Sequence, residues 1–396
     1  MPRTEQIKRI KGLIDQYAEL VHSEKNQKNM KLWDNPYDWN RDKLRGLVPS
    51  KTRKTAPFVV ELDVSIWKKI CNIENLSDYY NDPYVNIETQ LTSRINHAKL
   101  FADNYIYTDE IFIWFGVTTE LNIFGSEVIF PKHKDGWIKE PIIKDEEDLK
   151  RLAPPDFYKS GFMPKIHQYY EIFNELCDGK LKVMFPELAR GPFCIAAHLR
   201  GLEDMLCDVL VEPDFVHKTM RFVTDAHKEW TAERNKFLHL GNTKSKCKLF
   251  NDEIDCPSIS PAIYDELIFP YEKELAEYYG GVRYFHSCGN ITPFLSSINK
   301  LSNLDTCHVG PWTSYEEADK IFGNKTALEI CLHPMNDVML ADEKIMRDKL
   351  EDIIEKCKHN NFSVRADTFM PQGELGPQIE KIQQWVEIAK SYFGND

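Results

Sequence analysis

The feature that most limits the fold of this chain is an alternation: short β-rich runs recur along it, and most lead into amphipathic helical stretches. The runs are Phe58 to Asp63, Tyr105 to Ile113, Leu181 to Leu188, Lys246 to Asp252, Val282 to Cys288, Leu304 to Val309, Thr326 to Leu332 and Ser363 to Phe369. The clearest helices between them are Glu203 to Leu238, broken at Glu212-Pro213, then Ile263 to Tyr279, Ile291 to Leu301, Tyr315 to Phe322 and Asp342 to His359. A helix after each strand returns the chain to start the next strand in the same direction. The sheet is therefore parallel, and eight units are enough to close it on itself. The expectation is an α/β chain folded as a (β/α)8 TIM barrel over residues 56–396. Insertions widen the early part, notably residues 114–180, where Asp145 to Leu152 and Pro164 to Leu176 read as helices. Residues 1–55 read as an N-terminal helical extension. From Thr4 to about Val21, Ile7, Ile10, Leu13, Ile14, Tyr17 and Leu20 form one apolar stripe suited to packing on the outside of the main body.

Composition narrows the function. The 50 Lys and Arg against 62 Asp and Glu leave a net charge of −12 in 396 residues, and an acidic surface repels phosphate backbones. The short basic stretch Lys51 to Lys54 reads as a solvated loop, so nucleic acid is not an expected partner. No apolar run approaches the length of a membrane span, and the charged, amphipathic N-terminus carries no apolar core of a signal peptide. The ten cysteines show no disulfide-like spacing, which suits reduced thiols in a cytoplasmic protein.

In a barrel of this kind the reactive side chains gather at the C-terminal ends of the strands. Unusual polar residues fall there: Glu187 after the third run, Asp252 and Glu253 at the end of the fourth, His286 and Cys288 at the end of the fifth, Cys307 and His308 at the sixth, Glu329, Cys331 and His333 at the seventh, and Arg365 and Asp367 at the eighth. So many polar groups would be costly to bury in a plain core. The sharpest element is His286-Ser287-Cys288-Gly289-Asn290. Residues i and i+2 of a strand share a side, so imidazole and thiol face one point, and both are natural zinc ligands. A buried cysteine beside a hydrogen-bonded histidine has the same spacing. Glu61 and Glu187 read either as substrate-facing acids or as partners of Arg190 or another base, and Asp252-Glu253 as substrate-positioning or as solvated carboxylates. Trp312 and Tyr264 could wall a pocket or simply pack, and His198 reads as a helix-start residue near the cleft. There is no glycine-rich phosphate loop, GxSxG elbow or HExxH.

The segments Gly191-Pro192-Phe193-Cys194-Ile195-Ala196, Leu199-Arg200-Gly201, Ile259-Ser260-Pro261, Phe269-Pro270-Tyr271 and His286-Ser287-Cys288-Gly289-Asn290 together resemble the uroporphyrinogen decarboxylase superfamily. That superfamily includes the decarboxylase and zinc methyltransferases acting with corrinoids and thiols. The resemblance covers about residues 56–392. It implies a barrel with its site in the strand-end cleft. The decarboxylase branch carries an arginine-rich stretch that grips substrate carboxylates. At the matching place this chain has Pro57-Phe58-Val59-Val60-Glu61-Leu62-Asp63, which is acidic. The methyltransferase branch carries a His-x-Cys, matched by His286 and Cys288, and usually a cysteine on strand eight, where this chain has Arg365-Ala366-Asp367-Thr368. Cys307 and Cys331 are alternative ligands.

The reading that follows from the resemblance is a zinc-dependent methyltransferase that moves a methyl group between a small methylated substrate or acceptor and a corrinoid protein. His286, Cys288, His308 and Asp367 would be metal ligands, and Asp252, Glu187 and Glu61 catalytic. A metal-independent decarboxylase or lyase on the same barrel is the alternative. A non-enzymatic binding barrel is the third possibility.

Overall fold

The computed structural model describes residues 3–34, 45–51, 55–241 and 245–394. Of the basic stretch Lys51 to Lys54, residues 52–54 lie outside the described residues, as do residues 35–44 of the N-terminal segment. Eight strands form the core: β1 Phe58–Leu62, β2 Glu110–Phe112, β3 Lys182–Met184, β4 Cys247–Phe250, β5 Val282–His286, β6 Thr306–Val309, β7 Ala327–Leu332 and β8 Phe362–Phe369. Six pair in parallel in the order β1-β8-β7-β6-β5-β4, and β2 pairs in parallel with β3.

Short seams join the two sheets. Arg190, just past β3, bridges in parallel to Phe250, with Phe250 N–H donating to Ala189 and Gly191 N–H to Phe250. Between β1 and β2, Asn104 N–H donates to the Phe58 carbonyl, and the Asp103 carboxylate accepts from Val60 N–H at 2.8 Å. These seams tie the two-stranded pair to both edges of the six-stranded sheet, in keeping with the expected TIM barrel.

Where the early strands are shorter than the sequence pattern predicts, other groups have taken their backbone. Of Tyr105 to Ile113 only Glu110–Phe112 pairs as strand. Upstream, Asn26 bonds both the N–H and the carbonyl of Tyr107, Asn29 donates to the Tyr105 carbonyl, and Tyr17 Oη donates to Thr108. The helices Arg3–Val21 and Glu24–Met30 therefore hold this segment, satisfying amides a neighbouring strand would otherwise pair. Similarly, Leu181 to Leu188 ends early as strand because Arg234 captures the carbonyls of Phe185 and Pro186, and Pro186 has no N–H to give. The stretch Ile291 to Leu301 is a 3-10 turn, Thr292–Phe294, followed by the short helix Leu295–Ile298. In Ile263 to Tyr279, a π-helical turn over Tyr264–Ile268 precedes the helix Phe269–Tyr279. Pro270 cannot supply the amide of a regular turn there, and the wider turn absorbs that loss.

The barrel interior is charged. Side chains at alternate positions face the axis, and these include Glu61 from β1, Tyr284 and His286 from β5, His308 from β6, Glu329 from β7, and Arg365 and Asp367 from β8, all buried. Arg45 joins them from the N-terminal segment, also buried, and pairs with Asp367. Arg365 bonds Glu61 at 2.8 Å and Glu329 at 3.1 Å. The backbone beside Arg45 enters close to β5: Gly46 N–H donates to Glu329 at 3.3 Å, and Thr306 Oγ1 donates to the Gly46 carbonyl. Gly46 has φ +77°, and a Cβ there would lie 2.7 Å from Tyr284. Only glycine lets the chain pass at that point.

A candidate metal centre at the strand ends

The polar ends of β4 and β5 meet in one cleft. Its empty volume is about 1150 Å³ counted to its open mouth, and its walls include Phe112, Trp114, Glu187, Arg190 and Arg45. Asp252, His286 and Cys288 line the same cleft. Their ligand atoms all lie within 4.8 Å of one another. Nε2 of His286 is 3.1 Å from Oδ1 of Asp252 and 3.3 Å from Sγ of Cys288. Parallel pairing of β4 with β5 sets Phe250 opposite His286, so Asp252, two residues beyond Phe250, rises beside the imidazole and the thiol.

Hydrogen-bond direction fixes the histidine's tautomer. Tyr284 Oη has one proton, and it donates it to Oε1 of Glu329 at 2.5 Å. The 3.2 Å contact between Tyr284 Oη and Nδ1 of His286 must then be donated by the histidine. Nε2 is left with its lone pair aimed at Asp252 and Cys288. Burial keeps the His286 imidazole below its ordinary value, although the carboxylate beside it works the other way. Burial alone would raise the Asp252 carboxyl, but the positive charge of His286 in its protonated form and of Arg190 outweighs it and holds it far below the usual range. Burial in the cleft, with Asp252 alongside, pushes the Cys288 thiol up to about 12. A lone pair, a carboxylate and a sulfur converge, and in that arrangement a cation or a proton must lie between them.

The donor set suits a borderline metal: one imidazole, one thiol and one carboxylate are ligands zinc accepts. Its outer layer is also present. The His286–Tyr284–Glu329 chain orients the imidazole, as metal-binding histidines require, and Arg365 anchors Glu329 from behind.

The other sequence-predicted residues fall around this centre. The ring of His308 lies against that of His286, tilted by 39° with centroids 4.1 Å apart, and its Nδ1 donates to the Ser287 carbonyl at 2.8 Å. Its ligand nitrogen falls in a different group, with Glu329 and Cys331. Asp367 is in an ion pair with Arg45, and Glu61 is bonded to Arg365. Glu187 stands on the cleft wall, paired with Lys248 from β4. Cys307 is buried and donates to its neighbour's carbonyl. Trp312 is exposed and packs edge-on to His333, while Tyr264 is buried and donates to Glu272 at 2.5 Å. His198 lies near the end of the helix Pro192–Arg200, not at its start, and contacts Glu253 at 2.6 Å.

Arg45 is the residue that strand-by-strand reasoning passes over. Its contribution comes from a segment that reads as an external extension, and the only local signal is the glycine that follows it.

The profile of the uroporphyrinogen decarboxylase (URO-D) family matches residues 95–391. Among curated proteins, a methylated-thiol–coenzyme M methyltransferase of Methanosarcina mazei is 23% identical over 195 residues. That match takes in 48% of this chain and 49% of the relative, so it spans about half the relative's length. Among solved structures, a methyltransferase from Methanosarcina mazei superposes with a TM-score of 0.59 at 15% identity, covering 85% of this chain and 95% of that one. This structural likeness shows the shared fold.

Proposed function

The chain belongs to the uroporphyrinogen decarboxylase (URO-D) family, and from that premise we propose that it is a zinc-dependent methyltransferase moving a methyl group between a small methylated substrate or acceptor and a corrinoid carried by a separate protein. The observation that carries this reading is the convergence of Asp252, His286 and Cys288 at the strand ends. The likeness to the Methanosarcina mazei methylated-thiol–coenzyme M methyltransferase supports it.

Asp252, His286 and Cys288 would hold the metal, and the neighbouring His308 ring walls the imidazole on one side. Zinc bound there would supply Lewis acidity toward a heteroatom that carries or accepts the methyl group. The residues of the chain do the rest. Tyr284 and Glu329 keep Nε2 of His286 facing the cleft. Phe112 and Trp114 narrow the cleft with apolar surface and limit water at the reacting bond. Glu187, held by Lys248 on the cleft wall, would carry the proton exchanged with the leaving heteroatom. Glu61 and Asp367 act one layer below: held by Arg365 and Arg45, they balance the buried guanidinium charges.

Methyl transfer to free cob(I)alamin from small methylated ethers, amines and thiols tests the reading. Activity should vanish on chelation, return with zinc, and be lost in His286→Ala. Full methyl transfer after chelation, with His286→Ala unimpaired, would remove the metal from the reaction, whereas absence of methyl transfer together with chelation-insensitive decarboxylation would favour the metal-independent lyase.

A further inference from the structure

The loop after β4 carries two acids in succession, Asp252 and Glu253, and they point to different neighbours. Asp252 meets His286 and Cys288. Glu253 meets the helix Pro192–Arg200, where Cys194 and His198 stand one turn apart on the same face. We propose that Cys194, His198 and Glu253 form a second transition-metal site, separate from the cleft centre and selective for zinc or a metal of similar ligand preference.

Geometry carries the case. The ligand atoms of the three residues lie within 4.8 Å of one another, and Nε2 of His198 is 2.6 Å from Oε1 of Glu253. The i,i+4 spacing of Cys194 and His198 fixes two ligands on a rigid helix. Oε2 of Glu253 is buried, and no N–H or O–H of the described residues reaches it. A histidine–glutamate ion pair beside a core cysteine offers Glu253 only the weak S–H donor of Cys194 besides the imidazole, whereas a metal would engage imidazole, sulfur and carboxylate together. Arg190 donates to Cys194 Sγ at 2.6 Å; its charge favours the thiolate, while burial holds the thiol well above its ordinary value until a metal displaces the proton. The Arg190 charge already faces three carboxylates, Glu120, Asp252 and Glu253, so the surroundings still favour an added cation. His198 is about one-third exposed and gives a metal its way in. An imidazole, a thiolate and a carboxylate make a mixed donor set, which excludes the hard ions calcium and magnesium. A metal here would clamp the helix Pro192–Arg200 to the loop that positions Asp252, so that loading the outer site stiffens the inner one.

Cobalt(II) chloride titrated into chelator-stripped protein distinguishes the two sites. The wild type should bind two equivalents. The double variant His286→Asn/Cys288→Ser should keep one, still showing a sulfur-to-cobalt charge-transfer band, and adding Cys194→Ser should abolish both band and binding. Glu253→Gln, which preserves volume, should weaken only this equivalent and keep the circular dichroism of the wild type. One equivalent in the wild type that survives Cys194→Ser but is lost in His286→Asn/Cys288→Ser would overturn the second site and leave the cleft centre standing. One equivalent with the opposite pattern would retain the second site and remove the first. No cobalt bound at all would remove both.

Discussion

Nε2 of His286 lies 3.1 Å from Oδ1 of Asp252, an imidazole lone pair set against a carboxylate. Neither atom brings a hydrogen, because the imidazole proton sits on Nδ1 and is given to Tyr284. If a cation resolves that contact, Asp252→Asn should weaken zinc binding by more than about a hundredfold, since losing an outer partner alone brings about 10–100-fold. Competition against a chelator of known affinity measures it. An unchanged affinity would remove Asp252 from the ligand set.

Tyr284 links the ligand to the buried charges by accepting from His286 and donating to Glu329. Tyr284→Phe should lower zinc affinity by about 10–100-fold and cost about 1–3 kcal/mol of stability, because buried Glu329 loses a donor. Chelator competition and urea denaturation read the two effects separately.

Arg45 is the counter-charge of Asp367 and also approaches Glu61 and Glu329. Replacing it with Met leaves buried carboxylates under-compensated, at about 3–5 kcal/mol. Asp367→Asn in the same chain should recover part of that loss. A double-mutant cycle by chemical denaturation gives the coupling, and strict additivity would show that the pair does not act together.

Glu272 is a buried acid behind the site, bonded by Tyr264 at 2.5 Å and by Asn251, the residue before Asp252, at 2.7 Å. Burial raises its carboxyl to about 7 from an ordinary 4.5. The folded state therefore holds the proton more tightly than the unfolded chain. The extra stability is complete below the unfolded value of 4.5 and disappears as pH rises to about 7, a swing of about 3 kcal/mol. Glu272→Gln should flatten that part of the stability profile, measured by denaturation at points across the interval.

The barrel was legible in the sequence because its strands and helices differ in period, and β4 to β8 lie close to where the pattern puts them. Less of β2 and β3 was readable: side chains far away in sequence, Asn26, Asn29 and Arg234, satisfy the backbone on which a strand would otherwise depend. At the site, the i,i+2 spacing places His286 and Cys288 together, as strand geometry requires. The identity of their third neighbour could not be read in the same way. Asp252 and Asp367 are both acids at strand ends, and what separates them is Arg45, which claims Asp367 across more than three hundred residues of chain. Periodicity reports which way a side chain faces, but it cannot report a counter-ion arriving from outside the repeat.

Crystals of the zinc-loaded protein, with anomalous differences measured at the zinc edge, provide the most direct test. The account predicts a peak within bonding distance of Nε2 of His286, Sγ of Cys288 and a carboxylate oxygen of Asp252, at the mouth of the cleft. Zinc-containing crystals with no anomalous density among those three atoms would contradict it.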